Sequence, residues 1–447
     1  MNLPKHLQYK HSGVNWLGQI PVHWYAAMLK RILLGISDGT HGTYTRVSSE
    51  FPLLSAKNVF NDGIRISGSE SSISEEDHCQ IVGSGYPRKG DLLVTSVGTI
   101  GRSFVYDREY PLAFQRSVCF IRLESKQYPQ FYKYVVESKG FQEYLTSVAN
   151  VSAQGGVYMG ELCQALVPIL PESEQKTIAD FLDWKTGQID GLISKKKLLI
   201  AKLKEKRIAL ITQAVTKGLN PDAPMRDSGI PWLGEVPEHW EVRRLKFTAI
   251  EPLRYGANES AECEDTNFPR YIRITDVRED GSLHSDTFRS LLPEVAEPFL
   301  LTDGDILLAR SGATVGKSFQ YSPDWGKAAY AGYLIRFRVD SSVLVPTFAY
   351  YFTKSQIYWA NINSTLIQST IQNFNAEKYG SINIPVPPLG EQNDIVKVIS
   401  RKCLKIDSLS LAAQQVVDRL TEYRTALITA ATTGKIDVCN VTSGGAT

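Results

Sequence analysis

The sequence predicts a mixed α/β protein: two globular domains in tandem, joined by two long helices that pair antiparallel as an intramolecular coiled coil with pseudo-two-fold symmetry. Three observations carry that expectation. The opening Ser12-Gly13-Val14-Asn15-Trp16-Leu17-Gly18-Gln19-Ile20-Pro21-Val22-His23-Trp24 returns, 216 residues on, as Ser228-Gly229-Ile230-Pro231-Trp232-Leu233-Gly234-Glu235-Val236-Pro237-Glu238-His239-Trp240. Each copy closes with a long stretch in which apolar residues alternate at spacings of four and three. Between these landmarks lie short apolar runs bounded by Gly, Asp and Ser, mixed with helical spacing.

The long stretches come first. Ile178, Leu182, Lys185, Ile189, Leu192, Lys196, Leu199, Leu203, Lys206 and Leu210 form one heptad seam. At a constant offset of 217 stand Ile395, Ile399, Lys402, Ile406, Leu409, Ala413, Val416, Leu420, Tyr423 and Leu427. A helix of roughly 40 residues is about 60 Å long, too long for a compact core, so each stretch needs a partner helix and the chain supplies it. Lysines at three seam positions of the first copy suit a homodimer poorly and are tolerable where long stems snorkel outward. The basic run from Lys195 to Arg207 reads as facing either an acidic partner surface or a hydrated flank. Ser173 or a neighbour is the expected cap of the first helix, and Asn220-Pro221-Asp222-Ala223-Pro224 its end.

The repeat continues inside the domains. Phe51-Pro52 returns as Phe268-Pro269, Asn58-Val59 as Asp276-Val277, and Gly90-Asp91-Leu92-Leu93 as Gly304-Asp305-Ile306-Leu307. Gly98 to Phe104 matches Gly312 to Phe319 with one extra residue, and Pro171, Glu174 and Gln175 match Pro388, Glu391 and Gln392. The boundaries expected are a first domain over 1–170, a helix over 171–220, a second domain over 221–387, a second helix over 388–437, and a disordered tail over 438–447. Asp91–Val97, Val118–Leu123, Asp305–Ala309 and Leu334–Val339 read as strands; Phe131–Val148 and Thr347–Asn361 read as helices.

The totals bound the class. A chain of 447 residues, 43% hydrophobic and 21% charged, has the composition of an ordinary globular protein. The net charge of +2 requires any nucleic-acid surface to be a local basic face. Six scattered cysteines with no paired C-x-x-C read as reduced thiols, giving no zinc site. The first residues carry no apolar signal segment and no run reaches membrane-spanning length, so the expected location is the cytoplasm, with no membrane partner.

Familiar catalytic sets are missing. Ser311 to Ser318 ends in Gly-Lys-Ser, but Gly312 and Gly316 have three residues between them where a phosphate loop needs four. The first copy has Arg102 where the second has Lys317, so the segment reads as a structural turn. His23 and His239 adjoin Trp24 and Trp240, where packing is the expected role, and His41 has no second ligand nearby. No Asn- or Asp-Pro-Pro-Tyr loop of amino-methyltransferases occurs. The pattern points to a non-enzyme that binds and scaffolds, with no catalytic residues, cofactor or metal of its own.

The duplicated Ser-Gly-x-x-Trp-Leu-Gly-x-x-Pro-x-His-Trp opening, the Gly-Asp-Leu-Leu and Gly-x-x-Gly-Arg/Lys segments, and the Pro-x-x-Glu-Gln approach to each long helix together resemble the specificity subunits of type I restriction-modification enzymes. The resemblance covers nearly the whole chain. It implies two target-recognition domains, each reading one half of an asymmetric, interrupted sequence in double-stranded DNA. It implies that the paired helices act as a ruler and as the dock for two modification (methyltransferase) subunits. S-adenosylmethionine, ATP and Mg would belong to those and to further restriction/motor subunits. A stand-alone bipartite DNA-binding regulator without enzymatic partners is the competing reading, and a plain coiled-coil scaffold a weaker third. Candidate DNA contacts are Thr40, His41, Thr43, Tyr44, Arg46, Ser55, Lys57, Asn58, Arg102, Gln115 and Arg116 in the first domain. In the second they are Arg254, Tyr255, Asn258, Arg270, Arg273, Thr275, Asp276, Arg310 and Lys317. They are side chains that reach base edges or phosphates and recur at matching places.

Overall fold

A computed structural model describes residues 3–149, 155–260, 262–278, 281–367 and 373–439; most of the expected tail, 440–447, lies outside them. The described chain is mixed α/β and forms two compact units, residues 1–197 with 414–447, and residues 198–413. Both long helices, Glu172–Lys217 and Leu389–Thr432, contribute one half to each unit.

The units share one sheet plan although their sequences diverge. In the first, a four-stranded antiparallel sheet runs in the order Ser103–Val105, Leu92–Thr95, Val118–Leu123, Leu33–Asp38. In the second, Ser318–Gln320, Ile306–Ala309, Leu334–Phe337 and Arg254–Tyr255 take the same order. A short parallel pair accompanies each, Ala113–Phe114 on Phe51–Leu54 and Arg270–Ile272 on Ala328–Tyr330. The strand that leads into each long helix pairs antiparallel with the strand after the His-Trp motif: Leu166–Ile169 with Tyr25–Met28, and Asn383–Val386 with Glu241–Arg244.

The repeated sequence motifs fasten this plan. Asp91 and Asp305 are buried in their turns, accept from the amides of Arg88 and Thr302, and pair with Arg122 and Arg338, each at 2.7 Å. Glu174 accepts from Trp24 Nε1 at 3.0 Å and lies 2.9 Å from His23 Nε2; Glu391 holds Trp240 and His239 at 3.1 and 2.8 Å. Gln175 and Gln392, fully buried, satisfy backbone groups on two sides each: the amides of Tyr128 and Val345, and the carbonyls of Leu170 and Pro387. The histidines thus anchor the helix rather than merely pack.

Several expectations need correction. Phe131–Val148 is two helices, Pro129–Glu137 and Lys139–Val148, because buried Ser138 takes an extended conformation between them. In the second unit Pro346–Thr353 and Gln356–Ile367 replace one helix, with Ser355 at the break donating to Phe352 O. The first long helix begins at Glu172, so Ser173 lies inside its first turn. It ends at Lys217, before the proline cluster, because Gly218 takes a left-handed φ of 76° against Trp240 and Glu391.

The seam differs in phase at every second position. Ile178, Leu182, Ile189, Ile395, Ile399, Ile406 and Leu427 are buried, and Leu203, Leu210 and Leu420 half-buried. Leu192, Leu199, Leu409 and Val416, expected on the seam, are 49, 44, 49 and 39% exposed. The protected stripe runs through Leu182, Thr186, Ile189, Ile193, Lys196, Ile200, Leu203, Arg207, Leu210 and Ala214 on the first helix. On the second it runs through Ile399, Cys403, Ile406, Ser410, Ala413, Val417, Leu420, Arg424 and Leu427. The spacing of four and three survives, but Lys185, Lys206, Lys402 and Tyr423 fall beside the stripe, which removes most lysines from the seam. Within the first unit Asp190 pairs with Arg424 at 3.0 Å while Gly434 packs on Trp24, whose indole holds Glu174, so the helix halves run antiparallel. Within the second, Arg207 pairs with Asp407 at 3.0 Å and Gly218 meets Glu391, giving the same direction.

Candidate nucleic-acid interface

In each unit a glycine turns the chain out of the four-stranded sheet and across the parallel pair. Gly39 and Gly256 lie so close to the carbonyls of Phe114 with Gln115, and of Tyr330 with Ala331, that a side-chain carbon would collide. The next residues, Thr40 and Ala257, form parallel bridges with Gln115 and Ala331. This crossing launches one loop per unit, carrying Thr40 to Arg46 and Asn258 onward. Beside it stand the turns at Arg116 and Gly332 and the sheet ends at Ser96 and Arg310. The latter two hold the next segments by Val157 N to Ser96 O and Phe374 N to Arg310 O, both at 2.8 Å.

In the first unit these pieces enclose a cleft of about 510 Å³ lined by Asp38, His41, Ser96, Arg116 and the Gly155–Gly160 segment. His41 Nε2 is 2.9 Å from Asp38, and Thr40 Oγ1 meets the Tyr44 hydroxyl at 2.9 Å. Thr43, Arg46 and Arg116 are exposed, with Gln115 half-buried. In the second unit a cleft of about 370 Å³ is lined by Asn258, Tyr271, Arg273, Gly332 and Tyr333. Arg254, paired with Glu251 at 3.1 Å, and Tyr255 form the strand that leads to it. Of the loop residues chosen from sequence, His41 and Asn258 occupy corresponding places, two positions after Gly39 and Gly256.

Other candidates face inward. Asn58 and Asp276 are 2 and 1% exposed. Asn58 Oδ1 accepts from Ser55 N while its amide donates to Arg65 O and Glu70. Asp276 accepts from Arg273 N and pairs with the Arg273 guanidinium at 2.8 Å, which raises the affinity of that guanidinium for its proton. Both are turn-closing groups and offer nothing to a base; Ser55 is the backbone partner of Asn58, as Arg273 is of Asp276. Arg102 lies 4.5 Å over Phe60 and donates to Val59 O, a packing role. Arg270 stacks 5.4 Å from Phe288 and donates to His284 O, and burial lowers its pKa. Lys57, paired with Glu70 at 2.8 Å, remains 64% exposed, and Thr275 and Lys317 are exposed. Sequence reading passed over Tyr158 and Tyr333, 57 and 68% exposed at the two clefts. The signal in the sequence is a tyrosine within two residues of a glycine.

No group of three or more His, Cys, Asp and Glu side chains suited to a metal ion occurs among the described residues. No described helix is long and apolar enough to cross a membrane.

A duplicated α/β protein, with one long helix per copy and a loop-lined cleft in each unit, is the class these features define. The family described as Type I restriction modification DNA specificity domain matches residues 50–202 and 237–411, more than half the chain, and the chain belongs to it. The EcoKI specificity subunit of Escherichia coli K12 is 26% identical over 210 residues, 45% of this chain and 44% of that subunit. The MjaVIII specificity subunit of Methanocaldococcus jannaschii is 26% identical over 283 residues, 62% of this chain and 63% of that one. The alignments thus span less than two thirds of either relative. A chain solved in work on complex assembly and conformational transition of the type I R-M system shares the fold. Its TM-score is 0.67 at 14% identity, covering 92% of this chain and 98% of that one.

Proposed function

We propose that this chain is the non-catalytic DNA-recognition subunit of a type I restriction-modification complex. Each domain, 1–170 and 221–387, reads one half of an interrupted duplex target through its loop-lined cleft. The helices over 171–220 and 388–437 pair along their length as an antiparallel coiled coil, relate the domains by a pseudo-two-fold axis and set their separation. They dock two methyltransferase subunits, and with them motor and nuclease subunits that bring S-adenosylmethionine, ATP and Mg.

One observation carries the reading. The frame around the two clefts is the same, yet the residues it presents differ: His41 against Asn258, Arg116 against Gly332, Ser96 against Arg310. A constant frame with unlike tips suits recognition of two unlike half-sites. The test is selection from a pool of randomised duplexes by the full chain together with modification subunits. Two specified blocks separated by unspecified bases support the proposal; a single block, or no preference, defeats it.

A further inference from the structure

Buried and half-buried arginines in the second unit mostly meet carboxylates: Arg273 meets Asp276, Arg289 meets Glu264, and Arg336 and Arg338 meet Glu251. Arg310 does not. Its Nε is buried and, like Nη2, donates to no described residue, while Nη1 reaches Gly332 O only at 3.4 Å. The guanidinium lies 4.7 Å over the Tyr255 ring, and the Tyr255 hydroxyl accepts from Ala376 N at 3.1 Å, which fixes the ring. Beside it, the bare Cα of Gly332 leaves room for the Asn258 carboxamide, which a side chain there would strike. A buried Nε–H without an acceptor is costly unless a ligand supplies one.

We propose that Arg310, braced by Tyr255, reads the O6/N7 edge of a guanine in the half-site of the second unit. This rests on the DNA-recognition reading above and adds the residue and the base. Two features favour a base over a phosphate. A stacked, planar fork has one fixed direction, which suits bidentate contact with guanine, whereas exposed Lys317 nearby supplies a freely placed charge for the backbone. The corresponding residue of the first unit is Ser96, so the guanidinium belongs to what differs between half-sites and not to a shared backbone grip.

The test compares full-length wild type, Arg310→Lys and Arg310→Ala, with modification subunits, on a randomised duplex pool, thermal unfolding being followed in parallel. Lysine keeps the charge and the fold but loses the fork. Both variants are expected to lose about 5- to 150-fold of discrimination at one guanine of one block, leaving the other block intact. A uniform loss over all sequences, with a smaller salt dependence and confined to Arg310→Ala, would identify a phosphate contact and overturn the proposal. Unchanged selection by folded variants would overturn it while leaving bipartite recognition standing; a wild type without sequence preference would overturn both.

Discussion

Asp190 and Arg424 pair at 3.0 Å, and their counterparts in the repeat, Asp407 and Arg207, pair at 3.0 Å in the other unit. Each helix therefore gives the same Asp to one junction and the same Arg to the other, the reciprocity an antiparallel pairing of two copies demands. The third partner breaks the equivalence. Glu137, buried, lies 3.2 Å from Arg424 and 2.9 Å from Lys133. Its counterpart is Lys354, whose Nζ donates to Ser318 O and which feels the charge of Arg207.

This asymmetry predicts unequal costs for one substitution. Arg424→Ala strips a buried carboxylate of one partner and is expected to destabilise the first unit by about 1–3 kcal/mol. Arg207→Ala removes a half-exposed pair and relieves Lys354, so its cost stays within about 1 kcal/mol. Urea unfolding of the two variants measures both; equal costs would deny the role given to Glu137.

Burial, reinforced by Arg207 and Lys317, lowers the pKa of Lys354 from 10.5 to about 8. Between those values the unfolded chain holds a proton the folded chain lacks, so stability should rise with pH from about 8 to 10.5. Lys354→Met should be more stable than wild type at pH 7 and lose that slope. Melting curves across the range check the sign.

Glu391→Ala leaves the indole of Trp240, 1% exposed, without its acceptor. The expected loss is about 1–3 kcal/mol, with Glu391→Gln milder because an oxygen remains. Thermal melts of both variants separate the hydrogen bond from the charge.

The seam phase is testable one residue at a time. Ile193→Asp and Ile200→Asp should each cost about 1–3 kcal/mol, while Leu192→Asp and Leu199→Asp stay within about 0.5 kcal/mol in the isolated chain. The reverse ranking would restore the phase read from spacing alone.

Those adjacent pairs show where the sequence stops informing. Leu192-Ile193 and Leu199-Ile200 are apolar in both phases, so a count of apolar matches cannot choose between them; the domain contacts and the Arg207 and Arg424 pairs do. The duplication, the two long helices and the four central strands were legible because each repeats with a fixed offset. The same recurrence misled the site assignment. Asn58 and Asp276 return at matching places because both close a turn with the local backbone, whereas Ser96 and Arg310 share the register of their flanking Gly-Asp and Gly landmarks but not their identity, so a search for recurring residues does not pair them. Recurrence marks the frame, and the reading surface proposed above lies where that frame diverges.

The central claim is that the paired helices fix the distance between two reading domains. Four residues inserted after Lys197 and four after Ala413 lengthen both helices by about 6 Å and turn them by roughly 40°, a stutter the pairing absorbs. One base pair advances B-DNA by about 3.4 Å and turns it by roughly 35°. Sequencing the sites methylated by wild type and by this variant, each with its modification subunits, reads the consequence directly. The account predicts both specified blocks unchanged and the gap between them longer by about one base pair; an active variant with an unchanged gap would contradict it.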